Sequence, residues 1–251
     1  MTTNLPLSGN TALITGASAG IGEATAEALA AKGANIAIVA HRESKLQTVA
    51  DRIESETDGT ALVLPVIVSE PEEVREAIDE TVETFDRLDV VVNNAGIATG
   101  GDVTVETMPV EQYRTVMGVN VDGIFFVTQE TLPHLRETSG IAIFVASFAG
   151  QYPRPGAPIY AATKWWMRGF AHSLAGAVGT DEIGVTVINP SEVRTEFGKE
   201  YRDEISEERY EPNEVTEPET IADSIAFAAQ QEPPNVVFEL ELYRRDKLSG
   251  F

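Results

Sequence analysis

The feature that most constrains this chain is a repeated alternation. Short apolar runs, rich in β-branched residues, are separated by longer stretches with helical periodicity. The runs are Thr11–Thr15, Asn35–Ala40, Ala61–Val68, Val90–Val92, Ile141–Ala146, Val185–Asn189 and Val236–Leu240. Runs this continuously apolar are buried on both faces, as in a parallel sheet covered by helices on either side. The intervening stretches predict helices from the turn at Gly16–Gly22 to Lys32, to near Asp58, from Glu70 to Phe85, to about Arg136, from Pro158 to Val178, and from Glu219 to Ala229. Pro71 stands near the start of its helix, where a missing N–H costs nothing. Successive βα units pair in parallel through right-handed crossovers. The expected fold is therefore one α/β domain over residues 1–251: a doubly wound parallel sheet of about seven strands flanked by helices.

Residues 192–219 break the rhythm. They carry Glu192, Glu196, Glu200, Asp203, Glu204, Glu207, Glu208, Glu211, Glu214, Glu217 and Glu219 and little apolar surface. Ligands bind at the carboxyl ends of strands in such sheets, so this stretch is expected to act as a mobile substrate lid.

The charge excludes several functions. With 40 acidic and 18 basic residues the chain carries a formal −22, which makes binding to a nucleic-acid polyanion implausible. Acid is spread along the whole chain while lysine is confined to Lys32, Lys45, Lys164, Lys199 and Lys247. Such a surface stays hydrated in concentrated salt, which also screens its self-repulsion; the expectation is a halophilic protein. Cysteine is absent, so disulfides and thiolate chemistry are excluded. Neither a secretory leader nor a membrane span is discernible, and a cytoplasmic protein is expected. His41, His134 and His172 show no ligand spacing, so no metal is expected.

Two glycine-bearing turns carry the binding chemistry. After the first strand comes Thr15-Gly16-Ala17-Ser18-Ala19-Gly20-Ile21-Gly22, opening a helix. Its glycines permit a tight turn, close approach to a pyrophosphate and close helix–strand packing, while the helix N-terminus offers N–H donors. After the fourth strand comes Asn93-Asn94-Ala95-Gly96. A third cluster is Tyr160-Ala161-Ala162-Thr163-Lys164, whose tyrosine and lysine share a helix face. An ammonium beside a phenol can lower its pKa by about one to three units from about 10, towards useful acid–base catalysis.

The spacing of the first turn, together with Asn93-Asn94-Ala95-Gly96, resembles the short-chain dehydrogenase/reductase family over nearly the whole chain. The resemblance implies a Rossmann fold and a nicotinamide coenzyme held by Gly16, Ser18, Ala19, Gly20, Ile21, Gly22, Asn94, Ala95 and Gly96. It implies a catalytic set of Asn120, Ser147, Tyr160 and Lys164. Ser147, 13 residues before Tyr160, would hold the substrate carbonyl, and Asn120 a water relaying protons to Lys164. Lys164 would also grip the nicotinamide ribose beside Tyr160. Pro190, Ser191 and Val193 would line the nicotinamide end, Val193 through its backbone, with the Thr195 hydroxyl on the phosphate side.

Coenzyme choice turns on Ala40-His41-Arg42-Glu43. NAD-preferring relatives place an acid here for the ribose 2′-hydroxyl. His41 takes that place, and Arg42, with Ser18 and His41, suits a 2′-phosphate, so NADP(H) is expected over NAD(H). Two departures from the family pattern stand out. Ile67 replaces the usual aspartate near adenine, leaving a backbone contact from Val68, and Ser191 replaces the glycine of Asn-Pro-Gly. Gln151, Tyr152, Arg154 and Phe197 are expected to meet a small carbonyl or alcohol substrate. Trp165 and Trp166 suggest a face for a homodimer or homotetramer. The rival reading is a catalytically weak dinucleotide-binding regulator.

Overall fold

A computed structural model describes residues 5–100, 103–201 and 204–249. The strands are β1 (Thr11–Thr15), β2 (Asn35–Ala40), β3 (Ala61–Pro65), β4 (Val90–Asn93), β5 (Ile141–Val145), β6 (Gly184–Pro190) and β7 (Glu239–Leu242). They form one seven-stranded sheet, wholly parallel, in the order β3-β2-β1-β4-β5-β6-β7. The doubly wound architecture read from the apolar runs is the one observed.

The pleat sends alternate side chains to opposite faces. Ala12, Ile14, Ile36 and Ile38 face α1 (Gly20–Ala30), α2 (Glu43–Glu56) and α8 (Pro218–Ala229), meeting Leu29, Ile53, Ile221 and Ile225. Leu13, Ala37, Val91 and Phe144 face α3 (Pro71–Phe85), α5 (Gly123–Thr138) and α6 (Pro158–Val178), meeting Ile78, Leu135 and Met167. Burying side chains of this size stabilises by about 1.5–3 kcal/mol each. The rigid sheet is what lets the loops at its carboxyl edge hold polar groups in place. Because β1 lies between β2 and β4, chain direction diverges there, and the loops after β1 and β4 flank a crevice.

Three boundaries differ from expectation. β3 stops at Pro65 rather than Val68: Val66 makes the last link to the Ala40 carbonyl, and the Ile67 N–H turns to the Glu73 carboxylate at 2.8 Å. β7 begins at Glu239, not Val236, since its register on β6 starts where Val187 faces Glu239. The long helix is α4 (Val110–Met117) running into α5 through a π-helical turn at Gly118–Asp122. In the acidic stretch, α7 (Ser206–Arg209) forms, and Val193 bridges to Thr216. Asp203 lies outside the described residues. Among the described residues no helix is long and apolar enough to cross a membrane, and no cluster is placed to hold a metal ion.

Candidate active site

The two glycine-bearing turns are braced against each other. Thr15, at the end of β1, accepts hydrogen bonds on its hydroxyl from both the Asn94 and Ala95 N–H groups, each at 3.0 Å. The Asn94 amide donates back to the Thr15 carbonyl at 2.8 Å. Gly16 and Gly20 adopt φ of +67° and +59°, a left-handed conformation that a side chain would strain. A Cβ on Gly16 would lie 2.9 Å from Ala95 Cα, and one on Gly22 only 2.3 Å from the Gly16 carbonyl oxygen. Gly22 thus serves packing rather than the cavity wall. Ala19 precedes α1 without a side-chain cap, so no side chain competes for the first-turn N–H groups.

These turns form one end of a cavity of about 560 Å³. Gly16, Ser18, Ala19, Gly20 and Ile21 line it, with His41, Arg42, Ile67 and Val68 beyond the ends of β2 and β3. Asn94, Ala95 and Gly96 form its floor side, and Pro190, Ser191, Val193 and Thr195 follow from β6. Ile67 is 49% exposed and offers only an apolar surface where an acid was missing.

Ser147, Tyr160 and Lys164 line the other end. Ser147 precedes a short 3₁₀ turn, Phe148–Gly150, and its hydroxyl oxygen accepts the Ala149 N–H at 3.1 Å, leaving its own proton to donate. Gly150 lets that turn lie on α6: a Cβ there would meet the Lys164 carbonyl oxygen at 2.8 Å. Lys164, four residues along α6 from Tyr160, is buried and donates to the Val145 carbonyl at 2.8 Å. Its Nζ stands 6.0 Å from the Tyr160 ring centre. Burial lowers its pKa to about 7. The fixed ammonium expected beside the phenol is therefore a group that itself titrates near neutrality.

Asn120 does not line the cavity; it sits in the π-helical turn behind it. Its carbonyl accepts the Ile97 N–H at 2.9 Å, and its amide donates to the Ile97 carbonyl at 3.0 Å and to the Thr163 hydroxyl at 3.1 Å. A Cβ placed on Gly96 would lie 3.5 Å from Asn120 Oδ1 and 3.7 Å from Lys164 Nζ, so both atoms face one spot.

Of the substrate candidates, Arg154 and Phe197 line the cavity, with the Phe197 ring 5.7 Å from that of Tyr160. Gln151 and Tyr152 do not. The Gln151 amide donates to Glu239 and Glu241 and its carbonyl accepts the Tyr243 hydroxyl, while Tyr152 stacks on Phe148 at 4.4 Å. Arg42 hydrogen-bonds Ser18 Oγ through Nε and Nη2, at 3.1 and 2.9 Å, and pairs with Glu196 through Nη1. Ser191 lines the cavity, and its hydroxyl accepts the Arg244 N–H at 3.2 Å, tying down the chain that follows β7.

Among the cavity residues that the sequence analysis did not assign to the site are Glu192, Glu196 and Lys247. Glu192 and Lys247 pair with each other, and Lys247 Nζ lies 4.5 Å from the Phe148 ring centre. Glu196 joins Arg42 to Lys45. Scarcity of lysine was the one signal that could have drawn attention to Lys247.

Comparison with known proteins identifies the family. Residues 10–206 match the model of the short chain dehydrogenase family. The chain belongs to that family. Within the short-chain dehydrogenases, a 3-oxoacyl-[acyl-carrier-protein] reductase of Synechocystis is 33% identical over 227 residues, 89% of this chain and 90% of its own. An Arabidopsis thaliana 11-beta-hydroxysteroid dehydrogenase-like protein is 36% identical over 186 residues, 74% of this chain. The chain spans only 55–61% of the length of that and similar plant hydroxysteroid dehydrogenase relatives. Among solved structures, an alcohol dehydrogenase from the archaeon Thermococcus sibiricus, complexed with 5-hydroxy-NADP, superposes with a TM-score of 0.83. It is 28% identical, covering 93% of this chain and 96% of its own.

Proposed function

We propose that this short-chain dehydrogenase is an NADP(H)-preferring oxidoreductase that interconverts a ketone or aldehyde with the corresponding alcohol. It is read as a single domain with an acidic lid, cytoplasmic, adapted to high salt and assembled as a dimer or tetramer. Its partners are a small-molecule substrate and its own copies, not nucleic acid or membrane. The observation that carries the reading is the convergence of Ser147, Tyr160 and a buried Lys164 at one end of a cavity whose other end is a braced glycine turn.

The residues fit a nicotinamide dinucleotide. Gly16 and Gly20 line the cavity with left-handed backbone that has no room for a Cβ, and α1 presents its N-terminus there, the arrangement that suits a pyrophosphate. Ser18, Arg42 and Lys45 gather at the end of β2 with no acid at His41, which favours a 2′-phosphate over a bare hydroxyl. Bound there, the nicotinamide supplies or accepts the hydride.

The chain's own residues handle the oxygen and its proton. Ser147 donates its hydroxyl proton to the substrate oxygen and fixes its position. In the reductive direction the Tyr160 O–H bond breaks and its proton passes to that oxygen as hydride reaches the carbonyl carbon; oxidation reverses each transfer. Lys164, with a pKa of about 7, is suited to return a proton to the phenolate, and Asn120 faces the same spot through Oδ1. Phe197 and Arg154 border the space left for substrate.

The test is Tyr160→Phe, assayed with ketones, aldehydes and polyols. Turnover should fall by about 10²- to 10⁴-fold with coenzyme affinity unchanged. Undiminished turnover would remove Tyr160 from the chemistry.

A further inference from the structure

The group bound most closely by the proposed 2′-phosphate donors is a carboxylate of this chain. Glu196 pairs with Arg42 and accepts from Lys45 Nζ at 2.9 Å, and its side chain is 19% exposed. The contact spans more than 150 residues of sequence, joining the segment after β6 to the start of α2. Burial opposes ionisation of Glu196, yet hydrogen bonds from Lys45 and Arg42 outweigh it and hold the carboxyl below its usual range. Its neighbours are anchored too. Thr195 lies against Gly20, where a Cβ would meet its methyl at 2.9 Å, and the Phe197 ring lies beside Tyr160.

We infer that Glu196 is a specificity-determining residue: its carboxylate competes with the coenzyme's 2′-phosphate for Arg42 and Lys45, weakening NADP(H) selectively while leaving NAD(H) nearly untouched. This rests on the coenzyme reading above. Arg42 and Lys45 carry two positive charges, which Glu196 reduces to a net of one. A phosphate arriving there carries close to two negative charges and meets a like charge within the same ion-pair cluster. A 2′-hydroxyl is neutral, meets no such repulsion, and can donate to the carboxylate. The residue therefore holds coenzyme preference below what Ser18, Arg42 and Lys45 would otherwise give.

The experiment measures dissociation constants of NADPH and NADH by titration calorimetry for the parent, Glu196→Gln, Arg42→Gln and the double variant, without substrate. Adenosine 2′,5′-bisphosphate and 5′-AMP serve as fragment probes. Glutamine keeps the size and one hydrogen-bonding oxygen while removing the charge. Glu196→Gln should tighten NADPH and the bisphosphate about tenfold, with NADH and 5′-AMP changed less than about twofold, and Arg42→Gln should abolish the gain. Equal changes for both coenzymes, or weaker NADPH binding in Glu196→Gln, would overturn the inference. If Arg42→Gln weakens NADPH tenfold while Glu196→Gln alters nothing, the coenzyme reading stands and the role of Glu196 falls. If Arg42→Gln leaves NADPH unchanged, both fall together.

Discussion

Replacing Lys164 by methionine should destroy turnover and yet make the protein more stable. The lysine is 4% exposed, and burial moves its pKa from 10.5 to about 7. At pH 7 the unfolded chain holds this proton almost fully and the folded chain about half of it. Linkage converts that difference into a cost of about 4 kcal/mol. Methionine removes the cost and fills the same space, but the Val145 carbonyl loses its donor, which costs about 1–3 kcal/mol. The net gain expected at pH 7 is about 1–3 kcal/mol. The sign of the pH dependence follows from the folded pKa lying below the unfolded one. The penalty is fully present below pH 7 and is relieved as pH rises from 7 towards 10.5. At pH 9 it has fallen to about 2 kcal/mol, so the advantage of Lys164→Met should shrink by about 2 kcal/mol between pH 7 and pH 9. Urea unfolding of both proteins at the two pH values, at one salt concentration and without coenzyme, measures this. A variant less stable than its parent at pH 7, with a gap indifferent to pH, would refute the assignment of a strained, half-neutral amine.

Glu239→Gln should give the opposite pH behaviour. Hydrogen bonds from Arg168, Asn189 and Gln151 hold its carboxyl down at about 2, so the parent's advantage of about 2–3 kcal/mol should be complete above pH 5 and vanish as pH falls to 2, followed by acid unfolding. Gly22→Ala drives a methyl to 2.3 Å from the Gly16 carbonyl oxygen and should weaken coenzyme binding at least tenfold in calorimetry, with a lowered melting temperature. Ser191→Gly should cost only about 0.5–1.5 kcal/mol in urea unfolding, the loss of one hydrogen bond from Arg244, and leave coenzyme affinity unchanged. Ser147→Ala should lower kcat far more than it raises coenzyme KM, since in the proposed mechanism its hydroxyl holds the substrate oxygen and not the coenzyme.

How much of this was readable beforehand depends on the range over which each feature is decided. The apolar runs reveal five of the strands almost to the residue, because burial on both faces is a local demand on every side chain. β3 and β7 were misjudged at their ends because the cut-offs lie in a neighbour: Ile67 is apolar enough to continue a strand, but its N–H is taken by Glu73. The glycine turns and the Tyr160–Lys164 pair were legible because each is a short pattern on one element. Gln151 and Glu196 were not, since their partners lie about 90 and 150 residues away and nothing in their own surroundings announces them. Lys164 was found, but the lowering of its pKa by burial was not. Spacing shows which groups are near, and not how little water reaches them.

The π-helical turn at Gly118–Asp122 amounts to one surplus residue inside a single continuous rod. Deleting that residue would restore regular winding and leave the flanking segments nearly in phase, because a π turn spends one residue more than an α turn on the same rotation. Gln112 and Val116 would still face inward together with Ile124 and Val127, while Asn120, which sits in the irregular turn, would lose its present place. A one-residue deletion in the regular parts between Val110 and Thr138 would instead swivel one part by about 100° against the other, and a chimaera that exchanges this rod must carry the irregularity with it to keep Asn120 in place.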